Sequence, residues 1–418
     1  MTSRWAPSVG STFERLRPTT TTNLMIAIVS ATLISELLLS WRLWFPVART
    51  FPSIPAIEQL PLSLTDGFPA ALSVIVLCSL VAINLPKFRL ASLCLLLTGL
   101  SLLILSDLAR LQPWLFMQAT VLSLLVGGAK SKTPVPEVVG WILLILATTY
   151  FWSGIQKVNV YFLTEVFSWL IEPFYGGDLF ALTPQEWNFA KTGSLPTKFY
   201  VVLVVPTLEC LTGILLLVRR SRRIGLALAL SMHLFILIVL GPFGRSWNQV
   251  VWPWNVGMIL LLLILIPIRR PSRPLFFWRA RTPNAVLSGL ILLFGVMPAF
   301  NFSGHWDYYL SGSLYAGTNS TAEYFYDSRF DDFSDPDSSK HIHSIADRNQ
   351  DIVNLDMWAF SSMRTPLYPE TRYFKALGRH LCSRTHRPDR AGLRITEKAK
   401  FTAIKTQTVY LCADLERS

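Results

Sequence analysis

The apolar runs of this chain dominate its possibilities, and there are nine of them: residues 23–45, 69–85, 89–106, 113–128, 138–156, 199–218, 224–241, 250–268 and 284–300. At about 1.5 Å of helix rise per residue, each is near the length needed to cross a hydrocarbon layer about 30 Å thick. Lipid offers no water to backbone N–H and C=O groups, so a crossing segment bonds them internally as a helix. The sequence therefore predicts an all-α polytopic membrane bundle of nine transmembrane helices with a small C-terminal extracytoplasmic α+β domain. The boundaries follow: a cytoplasmic N-terminal segment 1–22, a transmembrane domain 23–300 and an extracytoplasmic domain 301–418.

Charge supplies the sidedness. Only 15% of the 418 residues are charged, against about a quarter in soluble domains. Residues 1–300 hold 23 Lys/Arg and 11 Asp/Glu, which is the whole net charge of +12, whereas residues 301–418 hold 15 of each. A basic partner surface for nucleic acid is thereby excluded, because the bias belongs to the membrane part. The N-terminus and the even-numbered loops carry 16 Lys/Arg, among them Arg4, Lys87, Lys130, the Arg219-Arg220-x-Arg222-Arg223 cluster and Arg269 to Arg281. The odd loops carry six: Arg49, Arg110, Lys157, Lys191, Lys198 and Arg245. The positive-inside rule places the first set in the cytoplasm and the tail on the other side, as in a bacterial cytoplasmic (inner) membrane protein. The first run ends in Trp41, Arg42, Trp44 and Phe45 without a small-residue cleavage pattern, which reads as an interfacial anchor and not as a processed signal peptide.

Cysteines divide along the same line. Cys78, Cys94 and Cys210 lie in spans and are expected to pack as small apolar residues. Cys382 and Cys412 lie 30 residues apart in the tail, on the side expected to be oxidising, where a structural disulfide is the natural outcome and two buried thiols the alternative. The external segment 157–198 contains a second apolar stretch broken by Pro173 and Gly176-Gly177, too interrupted to span and suited to a re-entrant or interfacial position. In the tail, Pro369 and Glu370 open a helix to Cys382 with Tyr373, Leu377 and Leu381 on one face. Residues 393–397 and 401–413 read as a terminal hairpin, and Trp306, Tyr308, Tyr309 and Tyr315 as an aromatic belt.

Ionisable groups inside lipid cost roughly 2.5–3.5 kcal/mol or more, so each asks for a reason. Glu36, Lys157, Glu209 and His233 qualify. They either face one cavity open to the exterior or tie helices together by hydrogen bonds, and Glu36 has Arg42 within sequence reach as a structural partner. Desolvation at the edge of an apolar cavity disfavours the charged form of a lysine, which suits Lys157 as a base or an anion anchor. A snorkelling lysine at a helix end is the plainer reading.

The segment Tyr150-Phe151-Trp152-Ser153-Gly154-Ile155-Gln156-Lys157-Val158-Asn159 resembles the Y-F-x-x-G-x-x-K-(hydrophobic)-(N/D) element of the HTTM, or vitamin K-dependent γ-carboxylase-like, membrane family. Glu209 and His233 look like that family's acidic residue one span later and its histidine in the span after that. The resemblance covers about residues 20–300 and implies a hydrophobic small-molecule site, with a quinone or vitamin K-like molecule as cofactor or substrate, Lys157 as catalytic base, and Glu209 and His233 as polar partners. The doxX-like membrane proteins share a similar Gly-x-x-Lys ending. Two departures argue against carboxylation of protein glutamates: Leu111-Gln112-Pro113-Trp114 stands where the carboxylases carry an Asn-Asn-His type segment, and the tail is only 118 residues long.

Other patterns point nowhere in particular. His341-x-His343 and Asp335-Pro-Asp337 lack the further ligands of a metal site, and Asn301-Phe-Ser and Asn319-Ser-Thr are glycosylation sequons of use only in a eukaryotic secretory pathway. The reading is a membrane protein binding or acting on a quinone-like or lipid molecule in an outward-facing cavity. Its rival is a non-catalytic transporter or assembly protein whose tail docks a partner, although no repeat symmetry of the transporter kind is visible.

Overall fold

A computed structural model describes residues 18–57, 67–175, 197–265, 285–330, 337–345, 349–400, 402 and 404–415, with the backbone alone for 197–199. The segment before Pro18, the Gly176-Gly177 break, the eighth-loop arginines and most of the acidic loop lie outside the described residues.

Helices stand at all nine apolar runs: α1 (Pro18–Leu39), α2 (Gly67–Ala82), α3 (Arg89–Ser106), α4 (Pro113–Ser131), α5 (Val135–Lys157), α6 (Val204–Leu217), α7 (Arg222–Leu240), α8 (Val251–Leu265) and α9 (Ala285–Ser303). Six of them are long and apolar enough to cross a membrane: α1, α3, α5, α7, α9 and Tyr200–Leu217, which extends α6 by the turn before it. That makes the chain a multi-pass integral membrane protein. The expected count of nine is finer than this, because α2 and α8 are shorter apolar helices of 16 and 15 residues and α4 is not among the six. The segment after α5 opens with a π-helical turn at Phe162–Val166 and continues as the helix Phe167–Tyr175, with Pro173 inside it.

The tail folds into a five-stranded antiparallel sheet of order β2-β3-β1-β4-β5, built from β1 (Thr321–Asp327), β2 (Ile342–Ile345), β3 (Gln350–Asn354), β4 (Gly392–Lys398) and β5 (Lys405–Leu411). The expected hairpin is β4–β5, and the expected helix is α11 (Thr371–Cys382), which follows α10 (Leu355–Met363). Tyr373, Phe374, Leu377 and Leu381 form the buried face of α11, and Gly378 lets it approach Leu393 of β4. The Cys382–Cys412 disulfide then ties the end of α11 to the chain just after β5.

One end of the bundle carries the tail. Thr50 N donates to Ser362 Oγ at 3.0 Å, Gln112 Nε2 to Pro366 O at 3.4 Å and Tyr161 OH to Ile404 O at 2.8 Å, while Trp247 stacks on Phe360 at 4.1 Å. All four odd-numbered loops thus meet the tail, and the described cationic loops at Lys87, Lys130 and Arg219 join the opposite helix ends. Two expectations fail here. Tyr308 and Tyr309 are buried in this junction, with Tyr309 OH donating to Leu367 O at 2.8 Å, and Tyr315 OH accepts from Asn248 Nδ2, so these rings are junction packing and not a belt. Cys78 and Cys94 are exposed on their helices, and Cys210 alone is partly covered, because the first two sit on faces turned away from the bundle.

Candidate functional site

Glycine decides how closely α5 and α6 approach. A Cβ on Gly154 would lie 2.5 Å from both Cys210 Sγ and Pro206 O, and one on Gly213 would lie 2.4 Å from Ala147 O. Small residues at such seams let two backbones pack where apolar lipid gives helices no reason to associate. Lys157 stands three residues after Gly154, on the same face of α5. The Gly-x-x-Lys spacing therefore sets the ammonium against the helix that Gly154 admits.

Its partner there is the acid that the sequence singled out. Lys157 Nζ lies 2.7 Å from Glu209 Oε2 and donates to Ser153 Oγ at 2.5 Å, one turn back on α5. Both side chains are 9% exposed. Removing one member of such a pair leaves an uncompensated charge in a poor solvent, whereas the pair together is tolerated. The ammonium has a third N–H and the carboxylate a second oxygen, Oε1, and neither has a hydrogen-bond partner among the described residues.

His233 is not in this pair. Its Nε2 lies 2.6 Å from Tyr150 OH and its Nδ1 lies 2.7 Å from Asn255 Oδ1. Asn255 Nδ2 donates to Val251 O at 2.7 Å, which fixes the amide orientation. A carbonyl oxygen only accepts, so Nδ1 carries the proton and Nε2 accepts from the tyrosine hydroxyl. Tyr150 lies two turns below Lys157 on α5, between the ion pair and the histidine. The two groups thus form successive polar steps along one helix face, joining α5 to α6 and then to α7 and α8.

Glu36 is elsewhere, and its expected pairing with Arg42 does not occur. Gln118 Nε2 donates to both of its carboxylate oxygens, at 2.8 and 3.1 Å, and Arg42 turns instead toward Asp337 at 3.8 Å. The reason is direction: Glu36 faces α4 inside the bundle, while Arg42 leaves it in the short turn Trp41–Trp44. One common cavity for the four groups is therefore replaced by a pair, a histidine relay and a separate carboxylate. Two small cavities border other parts of α5, one at Thr148, Thr149 and Trp152 and one at Ile142 and Leu146, and neither is lined by Lys157, Glu209 or His233.

Sequence reasoning missed Ser153, Tyr150 and Asn255 as partners, although the first two lie in the quoted segment and a lone amide in the apolar run 250–268 was a signal. The terminal Asn159 of that segment proves to be a connector. Its Nδ2 donates to Gln156 O at 2.7 Å and to Ala316 O at 2.9 Å, and its Oδ1 accepts from Phe162 N at 2.9 Å. It stops α5, starts the segment that follows and fastens both to the tail. In the tail, His341 Nε2 lies 2.5 Å from Ser361 Oγ, and among the described residues no three metal-binding side chains gather. Comparison of the chain with family models, curated proteins and solved structures finds no match.

Proposed function

We propose that this chain is an HTTM-like protein of a bacterial cytoplasmic membrane, crossing nine times with its N-terminus inside and its tail outside, and that it binds or acts on a quinone-like or lipid small molecule. The observation that carries the reading is the buried Lys157–Glu209 pair with one donor and one acceptor left unused. An ammonium and a carboxylate 2.7 Å apart can share one proton. The pair therefore offers either an amine base beside a neutral carboxyl or a cation beside a carboxylate. An acidic hydroxyl approaching the open side would lose its proton to the pair, and the resulting oxyanion would be held by the lysine. His233 and Tyr150, one step deeper, supply a second proton acceptor and donor along the same face.

The rival reading, a scaffold or transporter whose tail docks a partner, treats the pair as a helix tie. Replacement of Lys157 by Ala in the native host separates the two. The expected phenotype equals full deletion at normal protein level, and an unchanged phenotype would leave only the structural role. Sidedness is tested separately by a reporter joined after Ser418, which is expected to be active outside the cytoplasm.

A further inference from the structure

Among the buried polar atoms of the described residues that have no hydrogen-bond partner are Trp254 Nε1 on α8 and Gln118 Oε1 on α4. An unpaired donor and an unpaired acceptor are costly in a membrane interior, where no bulk water can rescue them. Both residues line the same small void between α1, α4, α5 and α8. Met117 and Trp254 divide it from a larger one walled by Phe116, Trp152, Phe294 and Tyr309. The volumes, about 10 and 30 Å³, are those of a few water molecules at most.

The wall between them and the outer side of the bundle is irregular. Within α9, Ile291–Val296 is π-helical and Met297–Ser303 is a 3-10 helix. A π-helical turn is wide and rare, and such turns concentrate at functional sites. Phe294 of this turn stacks on Phe116 at 5.2 Å with an interplanar angle of 22°, and Trp152 Nε1 donates to Gly295 O at 3.0 Å. A flat ring already occupies the position that a flat ligand would take.

We propose that the two voids are the closed ends of one slot for a lipid-soluble aromatic alcohol. Its ring would enter beside Phe116 and Trp152 as Phe294 moves aside with the π-helical turn. Its hydroxyl would accept from Trp254 Nε1 and donate to Gln118 Oε1, a match that one oxygen can satisfy because a hydroxyl does both. Glu36, bonded behind Gln118, holds the amide in the orientation that presents its oxygen. This slot stands independently of the role proposed for Lys157, which does not line it.

The test uses the full-length protein in nanodiscs, titrated with 4-hexylphenol and with hexylbenzene, each corrected for partition into protein-free nanodiscs. The wild type is expected to bind the phenol at least tenfold more tightly than the hydrocarbon. Trp254→Phe keeps the ring and loses the N–H, and should cut that preference to threefold or less. Phe294→Leu removes the stacking wall and should weaken both probes while leaving the preference intact. Lys157→Ala should leave both affinities unchanged. Equal binding of the two probes by the wild type would show that the voids hold water only and overturn the proposal without recourse to any variant. A preference that survives Trp254→Phe, or one that disappears with Lys157→Ala, would overturn it as well, the latter by moving the ligand to the ion pair.

Discussion

Two buried ion pairs lie near the same end of this molecule, and they are built differently. At the junction with the tail, Arg49 meets Asp107 at 2.5 Å with side chains 1% and 0% exposed. There, Asp107 Oδ1 also accepts from Ala109 N at 3.2 Å and from Ile54 N at 3.4 Å. Arg110, beside it, donates from Nε to Leu43 O and from Nη1 to Leu103 O and Ser106 Oγ while its Nη2 has no partner among the described residues, and burial pushes its guanidinium down to about 10. Every oxygen of Asp107 is used. The Lys157–Glu209 pair is also buried, yet its carboxylate keeps a free oxygen; an N–H without a partner among the described residues is common to both, at Lys157 Nζ and at Arg49 Nε. A saturated carboxylate fixes loops in place, and one with an open oxygen has capacity left for something else. Burial alone would not have distinguished them.

The difference is largest in what deletion should do to the fold. Replacing Asp107 with Ala strands Arg49 and Arg110 in a closed site, and the expected cost is about 3–5 kcal/mol. The measurement is the thermal midpoint in detergent together with protease resistance of the tail. A midpoint like the wild type's would mean that the knot is dispensable. Lys157→Met removes one partner from a site with an open side, where Glu209 can be relieved through Oε1, so a smaller loss of about 1–3 kcal/mol is expected. The double change Lys157→Met with Glu209→Leu should regain most of it, because two apolar side chains need no compensation. If the double variant is no more stable than the single one, the pair is not a unit. Gly154→Ala tests the seam beneath it: the added methyl meets Pro206 O and Cys210, and overpacking of this kind costs roughly 1–3 kcal/mol. It should also separate lysine from glutamate and give the Lys157→Ala phenotype with both residues still present.

How much of this was legible in the sequence differs between the two pairs for a physical reason. Lys157 and Glu209 stand in apolar runs, where any charge is conspicuous, and Gly154 fixes the face on which the lysine lies. Asp107 and Arg110 occur in the six-residue loop 107–112 between two spans, where charge is ordinary, and Arg49 counted only toward sidedness. Nothing local says that the tail will return to cover them. The same holds for the sheet. The hairpin β4–β5 and the helix α11 repeat their apolar residues with a regular period and are closed by a disulfide 30 residues apart. β1, Thr-Ala-Glu-Tyr-Phe-Tyr-Asp, is central between β3 and β4 and buried at four consecutive positions, so it shows no alternation. Burial of His233 was readable, but its pairing with Tyr150 and Asn255 needed the rotation of three helices about their axes, which an apolar run does not encode.

A third carboxylate, Asp356 in the first turn of α10, lies between these extremes and gives the smallest but most easily followed effect. It is partly buried and accepts one long bond, 3.4 Å, from Ala322 N. Burial raises its carboxyl to about 7, against the weaker pull of that bond and of the Lys398 charge, with Glu323 adding to the rise. The folded tail therefore holds this proton more tightly than the unfolded chain, where aspartate titrates near 4. The sign is opposite to that of a salt-bridged carboxylate. The stabilising contribution is complete below the unfolded value and is lost as pH rises through about 7. Unfolding of the tail followed at pH 5.5 and at pH 8.5 should show the wild type less stable at the higher pH by an amount on the order of 1 kcal/mol. Asp356→Asn should flatten that difference. If instead the wild type gains stability between those two pH values and the asparagine variant does not, Asp356 is ionised and compensated like Asp107, and the tail holds a second saturated carboxylate in place of an intermediate one.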